Sequence, residues 1–216
     1  NTNSGAGVKT GHLQDGAVTN GKIANGAVTD SKITGPISAT KVPHDHNAIY
    51  QKKYARVVTV SLNGDGDFTS PANAMNAITD AGPANPYLVK IMPGVYDIGT
   101  GGVHMKEFVD IEGSGREITK ITGTAIVIVG VANAALRDLS VEAPATTGIF
   151  NPFLIENVSV NAAEGVCVYL HSVSWSVTIR NVSCTGGYLG VKGGVPAQAE
   201  LILENITTST LSMGFE

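Results

Sequence analysis

A short template recurs four times in the C-terminal half of the chain, and it limits the possible folds more than any other feature. Each copy reads apolar, charged, Asp or Asn, apolar, Ser or Thr, and the Asp or Asn positions are 19, 24 and 24 residues apart. One short alternating strand every two dozen residues is typical of a solenoid of stacked coils. Asp and Asn suit the bend of a coil because they tolerate left-handed backbone and hydrogen-bond along the stack. We therefore predict an all-β parallel β-helix, with copies that begin at Leu136, Ile155, Ile179 and Leu203.

The composition favours an all-β protein and argues against two kinds of partner. Charged residues are only 15% of the 216 residues, 26 residues are Gly, and no long helical pattern occurs. The net charge of −4 argues against nucleic acid, because phosphate binding needs a basic stripe. The longest apolar run, residues 124–136, is too short to span a membrane. The chain starts without an initiator Met or a signal peptide, which we interpret as a processed secreted product or an excised fragment.

Residues 1–42 carry a second repeat, of ten residues, that cannot fold alone. Each copy offers two apolar residues five apart among Gly, Ala, Thr and Asn, which is too little apolar area to offset the entropy of ordering the segment. We interpret residues 1–42 as an extended assembly arm that packs on neighbouring subunits, in a homo-oligomer or a self-polymerising filament. The predicted interface residues are Val8, Leu13, Val18, Ile23, Val28, Ile33 and Val42.

A polar neck, residues 43–55, separates this arm from the β-helix that we predict for residues 56–216. His44 and His46 in the neck point the same way in an extended chain. Around a three-fold axis, six such imidazoles could hold a transition metal such as iron or nickel. In a monomer the pair would be a weak site, and a solvated hinge without a metal is the alternative. No other cofactor is predicted.

The beginning of the predicted β-helix has a family resemblance. Residues 57–123 resemble the first coils of the pectin methylesterase branch of the pectin-lyase-like right-handed β-helices. The segments that carry the resemblance are 64–69, 74–78, 89–96 with its Pro-Gly-Val-Tyr turn, and 110–123. The resemblance implies a right-handed parallel β-helix that opens with a short capping helix. Ser70 followed by Pro71 supplies the expected start of that helix.

The catalytic segments of the resembling family do not occur in residues 124–216. The esterase branch carries Gln-Ala-Val-Ala-Leu, a Gln-Asp pair, Asp-Phe-Ile-Phe-Gly and an Arg before Pro-Trp, and this sequence has none of them. Polygalacturonase signatures are missing too, whereas lyase sites built on scattered Asp stay open. We therefore assign no catalytic residue. Arg137, Glu156, Arg180 and Glu204 are interpreted as an outward row that pairs across neighbouring strands.

Two pairs of residues leave alternatives open. Cys167 and Cys184 permit one disulfide, and two buried thiols are an equal alternative. His171 and Trp175 could form a sugar-stacking platform on an exposed loop, although an aromatic residue in this position is more commonly part of a core or an edge.

The arm has a resemblance of its own, which directs the functional prediction. Its decapeptides, followed by His-Asp-His and a Tyr, resemble the shaft and neck of phage tail fibres and bacterial surface fibres. This implies an extracellular, cell-surface or virion-associated protein. We predict a structural subunit of an extracellular fibre or filament that assembles through its arm and the ends of the β-helix. The alternatives are a polysaccharide-binding adhesin and a tail-spike-like carbohydrate-active enzyme, such as a lyase or esterase.

Overall fold

Parallel pairing of strands from successive coils builds the body of this protein. The computed structural model describes residues 53–186, 188–192, 199–208 and 213–215. Every pairing between its strands is parallel, and each strand lies beside its counterpart in the next coil. The predicted fold, an all-β parallel β-helix, is confirmed. The predicted arm lies outside the described residues.

Two sheets form the described walls of the solenoid. The nine-stranded sheet contains β1 (Arg56–Val60), β2 (Tyr87–Ile91), β3 (Gly94–Asp97), β5 (Val109–Glu112), β6 (Thr119–Thr122), β8 (Ala135–Glu142), β10 (Leu154–Asn161), β12 (Val177–Thr185) and β14 (Leu201–Thr208). The six-stranded sheet contains β4 (Val103–His104), β7 (Ile128–Val129), β9 (Ile149–Phe150), β11 (Val166–His171), β13 (Tyr188–Lys192) and β15 (Met213–Phe215). Within the described ranges, no helix is long and apolar enough to cross a membrane.

The core lies inside the solenoid, in columns of apolar side chains. Because the pairing is in register, equivalent residues of successive coils stack directly on one another. One column runs through Ile111, Leu136, Ile155 and Ile179, each no more than 1% exposed. The alternation along each strand then sends the intervening residues to the outer face. The outward positions consequently form columns as well, and these columns make the protein surface.

A single short helix, α1 (Pro71–Ala77), lies at the N-terminal end of the described solenoid. Ser70 before it is extended and Pro71 begins it, as the sequence predicted. Its Ala74 and Met75 are fully buried, and the helix packs on β1, β2 and β4. The expected capping helix is therefore present.

A left-handed residue bends each of the four long strands at the predicted position. The φ angles of Asp138, Asn157, Asn181 and Asn205 lie between 52° and 56°. The Nδ2 of Asn157 donates to Oδ1 of Asp138, and the Nδ2 of Asn205 donates to Oδ1 of Asn181 at 3.0 Å. The recurrent Asp or Asn of the sequence template thus supplies both the backbone conformation and a side-chain hydrogen bond along the stack.

The two cysteines form a disulfide inside the solenoid. Cys167 on β11 and Cys184 on β12 are 1% and 4% exposed, and their Cα atoms are 5.8 Å apart. The bond joins the six-stranded sheet to the nine-stranded sheet. Closing a loop of 17 residues in this way stabilises the fold by about 3 kcal/mol in the chain-entropy account.

We predict that the bend at Asn181 tolerates Gly better than Ala. Both Asn181→Gly and Asn181→Ala remove the hydrogen bond from Asn205, but only Ala must strain to keep φ at 52°. Gly meets no such penalty but gains freedom in the unfolded chain. Asn181→Ala should therefore lower the free energy of unfolding by roughly 1 kcal/mol more than Asn181→Gly. Guanidinium unfolding followed by circular dichroism measures the difference, and equal stabilities would contradict this role for the bend.

Candidate functional site

A turn between β5 and β6 places Arg116 over the outer face of the nine-stranded sheet. One left-handed residue bends each later strand, whereas residues 113–118 separate β5 from β6. Gly113 is needed at the start of this turn, because a Cβ there would lie 2.3 Å from the carbonyl oxygen of Asp138. The Ser140 hydroxyl donates to the carbonyl oxygen of Arg116, which fastens the turn to the next coil. The sequence therefore builds an overhang at this point of an otherwise regular wall.

The space under this overhang is a polar groove that crosses several coils. We call it the flank groove, and it has two parts, of about 210 and 250 Å³, that meet at Arg116. The guanidinium reaches across them to the carbonyl oxygen of Asn181, at 3.4 Å from Nη1. The groove is lined by Arg116, Glu117, Lys120, Ser140, Glu142, Asn157, Ser159, Asn161, Asn181, Ser183, Thr185, Asn205 and Thr207, with Val141, Val160 and Val182 at its base.

A column of hydroxyl groups runs along the floor of the flank groove. Ser140, Ser159, Ser183 and Thr207 occupy the same outward position on four successive strands. Their column follows from the register, since the residues on both sides of each one face the core. Within this column, Ser159 and Ser183 share a hydrogen bond, with their Oγ atoms 2.8 Å apart. The floor thus offers donors and acceptors at the spacing of one coil.

The charges of the flank groove are unequally satisfied. Lys120 Nζ and Glu142 Oε1 lie 2.6 Å apart, so these two charges neutralise one another. Of the four arginines in the chain, Arg116 alone makes no ion pair with a described residue. A guanidinium has five donors in a planar fork that matches a carboxylate. Arg116 is therefore available to an external anion.

The row of charges predicted from the sequence is present on the other half of the same sheet. In register, Glu112, Arg137, Glu156, Arg180 and Glu204 follow Lys90 across six strands. Lys90 Nζ lies 2.8 Å from Glu112 Oε1, and Arg180 contacts Glu156 at 3.5 Å and Glu204 at 2.7 Å. Partly exposed pairs of this kind contribute up to about 1 kcal/mol each. This row is a structural ladder, since its charges are used by one another.

Arg137 departs from the ladder and joins a cluster with Tyr54 and Asp110. Asp110 Oδ2 accepts from the Tyr54 hydroxyl at 2.6 Å and from Arg137 at 3.1 Å. Its Oδ1 accepts from the Ala135 amide at 2.8 Å, and Lys53 lies 3.3 Å away. Burial, followed by the hydrogen bond to Asp110, raises the pKa of Tyr54. Through these contacts the cluster fastens residues 53–54 to the sheet.

The two residues proposed from the sequence as a sugar platform have different neighbours in the structure. Trp175 packs against the core, and its indole Nε1 donates to the carbonyl oxygen of Pro152 at 3.2 Å. His171 is exposed and stacks with other rings, those of Phe150 and Tyr169. A glycan role for His171 or Trp175 stays a prediction.

The other predicted site residues lie outside the described part of the chain. These are the metal candidates His44 and His46 and the assembly residues Val8, Leu13, Val18, Ile23, Val28, Ile33 and Val42. Among the described residues, no three His, Cys, Asp or Glu side chains come close enough to hold a metal ion.

Sequence reasoning did not single out Arg116 and Lys120 as candidate site residues. The signal for the hydroxyl column was present, because Ser or Thr closes each copy of the template. Arg116 stands in a Gly-Ser-Gly-Arg turn outside the repeat, and only the packing of that turn on Ser140 shows where its side chain goes.

The fold is similar to that of a pectin methylesterase from carrot, with a TM-score of 0.46 and 14% sequence identity. The match covers 70% of this chain and 63% of the carrot enzyme, so the chain spans less than two thirds of that protein. No protein-family profile matches the sequence, and no curated protein sequence matches it.

The raised pKa of Tyr54 predicts part of the alkaline sensitivity of the fold. Below the ordinary tyrosine value of 10.0, the phenol is neutral in both the folded and the unfolded chain. Above that value the phenol of the unfolded chain ionises before that of the folded chain. The contribution of neutral Tyr54 to the free energy of unfolding is therefore lost as the pH rises through the higher pKa of the folded state. The hydrogen bond to Asp80, followed by burial, raises the pKa of Tyr87, and burial raises the pKa of Tyr96. Both residues remain in a Tyr54 variant.

We expect Tyr54→Phe to be less stable than the original chain at pH 7, because Asp110 and Arg137 lose a partner. Its free energy of unfolding should then fall less steeply as the pH rises above the ordinary tyrosine value of 10.0, since one of the phenols with a raised pKa is gone. Urea unfolding at each pH gives both quantities. Parallel curves for the two proteins would show that Tyr54 does not titrate as the structure implies.

Proposed function

We propose that the β-helix is a polysaccharide-binding module, without turnover, in a subunit of an extracellular fibre or surface filament. The ligand proposed is an acidic polysaccharide, such as a chain of uronic acids. The observation that carries this proposal is Arg116, a cation without an ionic partner among the described residues, held over a column of hydroxyl groups.

The chemistry of the flank groove suits a carboxylated sugar chain. Arg116 can bind a carboxylate through two parallel hydrogen bonds, which are stronger than neutral ones. The Ser and Thr column can exchange hydrogen bonds with sugar hydroxyls, since each hydroxyl group both donates and accepts. The groove is open and polar, unlike the enclosed apolar pockets that hold most small ligands. An extended polymer lying across the coils fits this shape better than a compact molecule.

Binding without turnover is the expected behaviour of this groove. Its acidic groups are Glu142, which is paired with Lys120, and Glu117, which is exposed on the turn. The Asp110–Arg137 pair lies elsewhere on this sheet, and both of its members are hydrogen-bonded to Tyr54. An enzyme acting on the same polymer is the competing possibility, and product analysis on bound polysaccharide distinguishes the two.

The test of the proposal is the affinity of Arg116 variants for a galacturonate hexamer. Arg116→Ala should weaken binding about tenfold or more, because a charge-assisted hydrogen-bonding partner of the carboxylate is lost. Arg56→Ala is the matched control, since it removes the same charge from an exposed arginine on β1. Isothermal titration calorimetry at low and at 0.5 M salt measures both variants.

Three results would oppose the proposal. The first is an absence of binding by the original chain, and the second is an equal loss in Arg56→Ala and Arg116→Ala. The third is release of unsaturated or de-esterified products from the polymer, which would show that the protein is an enzyme and not only a binding module.

A fibre role is proposed on the sequence of the arm. Residues 1–42 repeat apolar positions that the segment cannot bury by itself, and burial against other copies would stabilise them. The internal disulfide supports an oxidising location such as the cell exterior. A fibre that displays the same groove on every subunit would bind a long polymer more tightly than a single subunit does, because binding would be multivalent.

We expect assembly to depend on the apolar residues of the arm. Replacing Val18, Ile23, Val28 and Ile33 with Ser should abolish oligomers while the circular dichroism of the β-helix is unchanged. Thr19→Ser with Thr29→Ser is the control, because it alters neighbouring polar positions of the same repeats. Assembly is measured by light-scattering mass and negative-stain microscopy. Oligomers that persist after the four replacements would contradict the proposed role of the arm in assembly.

A further inference from the structure

Three aromatic rings form a patch on the outer face of the six-stranded sheet, where Phe150 and Tyr169 are half-buried and His171 is exposed. Phe150 lies on β9, and Tyr169 and His171 lie on β11. The ring centroids of Phe150 and Tyr169 are 5.8 Å apart, those of Tyr169 and His171 6.1 Å, and those of Phe150 and His171 6.5 Å. The neighbours Ile149 and Leu170 are buried, so the alternation of the strands directs all three rings outward. We call Phe150, Tyr169 and His171 the ring patch.

The ring patch is held in place by the backbone beneath it. The side chain of Asn151 clamps His171 twice, because its Oδ1 accepts from the His171 amide at 2.7 Å and its Nδ2 donates to the His171 carbonyl at 3.2 Å. Asn151 is itself left-handed, with φ at 47°, and its amide donates to the carbonyl oxygen of Tyr169 at 2.9 Å. The rings therefore stand on a fixed base, which lowers the entropy that a ligand must overcome.

Toward β13 and β15, the column that contains Phe150 and Tyr169 continues with two glycines. Tyr169 is in register with Gly190 on β13, and Gly190 is in register with Gly214 on β15. Two glycines in succession leave bare backbone over two coils, a width of roughly 10 Å at the usual strand spacing. Glycine in a strand often marks the close approach of a ligand or another backbone. The arrangement is a shelf with an aromatic wall at one side.

The polar edges of the patch are unused within the described part of the chain. Neither the Tyr169 hydroxyl nor the His171 imidazole makes a hydrogen bond or an ion pair with a described residue. A pyranose ring has an apolar C–H face, which stacks on an aromatic ring, and a rim of hydroxyls, which can bond to such groups. Three rings are also too few for a protein interface, which covers about 800 Å² on each partner.

We infer that the ring patch and its glycine shelf are a binding site for the pyranose rings of a neutral polysaccharide. The site is separate from the flank groove, since it lies on the other sheet and has no arginine. It goes beyond the proposed acidic-polymer binding and does not depend on it. Its geometry favours a flat, extended chain such as a β-1,4-linked glucan or mannan, whose rings present apolar faces.

The inference is tested on the full chain with two neutral probes, a β-1,4-linked glucose hexamer and a β-1,4-linked mannose hexamer. Titration followed by NMR should shift the His171 imidazole resonances on addition of at least one probe. Tyr169→Leu keeps an apolar side chain but removes the ring, and His171→Ala changes an exposed position that the fold tolerates. Each should weaken binding at least fivefold. His104→Ala is the matched control, because His104 is exposed on β4 of the same sheet, outside the patch.

The two proposed sites are distinguished by crossing variants and probes. Arg116→Ala should leave the neutral hexamer unaffected, and Tyr169→Leu should leave the galacturonate hexamer unaffected. The inference is overturned if neither neutral hexamer binds, if both patch variants bind as tightly as the original chain, or if His104→Ala loses as much affinity as His171→Ala. A failure of galacturonate binding alone refutes the flank groove and not the ring patch.

Discussion

In-register parallel pairing is the constraint on which the rest of this structure depends. Once each strand lies directly beside its counterpart, every position of the repeat becomes a column. Apolar positions become the core, Asp and Asn positions become bends that are hydrogen-bonded in pairs, and outward positions become surface rows. A substitution at one position therefore alters the packing of the residues directly above and below it more than the packing of other residues. Stability and surface chemistry have the same origin in this fold.

The sequence predicted the parts of the structure that repeat. The bends at Asp138 and Asn157, the charged row and the buried columns all follow from the template, since periodicity is a signal that one chain can carry by itself. The start of α1 was predicted for a different reason, the chemistry of Ser followed by Pro. Local signals and periodic signals together were sufficient for the fold.

Apart from the hydroxyl column, the candidate sites depend on parts of the chain that do not repeat, and the sequence did not predict those parts. Arg116 belongs to the turn of residues 113–118 between β5 and β6, outside the repeated template. Phe150 lies on a strand of two residues, which is too short to show an alternation. The disulfide needed the register of β11 and β12, which spacing alone does not supply. His171 was identified as a candidate, but with Trp175 as its neighbour rather than Phe150 and Tyr169. In this solenoid, the residues proposed to give the sheets specific binding chemistry include several that lie outside the repeat.

The flank groove and the ring patch lie on different sheets, so two polysaccharide chains could occupy the two proposed sites at the same time. The nine-stranded sheet has charge and hydroxyls, and the six-stranded sheet has rings and bare backbone. A matrix of mixed polysaccharides contains both kinds of polymer surface. A fibre built from this chain would meet the acidic component on one side and the neutral component on another.

The disulfide has a mechanical consequence for a solenoid of this kind. When a coiled wall is pulled from its ends, coils detach one after another and their residues extend. The bond between Cys167 and Cys184 closes part of one coil into a covalent ring, so about 55 Å of chain cannot lengthen under load. Tension would pass through the sulfur atoms instead of the backbone between them. The strands on either side of that ring would remain linked even after their hydrogen bonds had been broken.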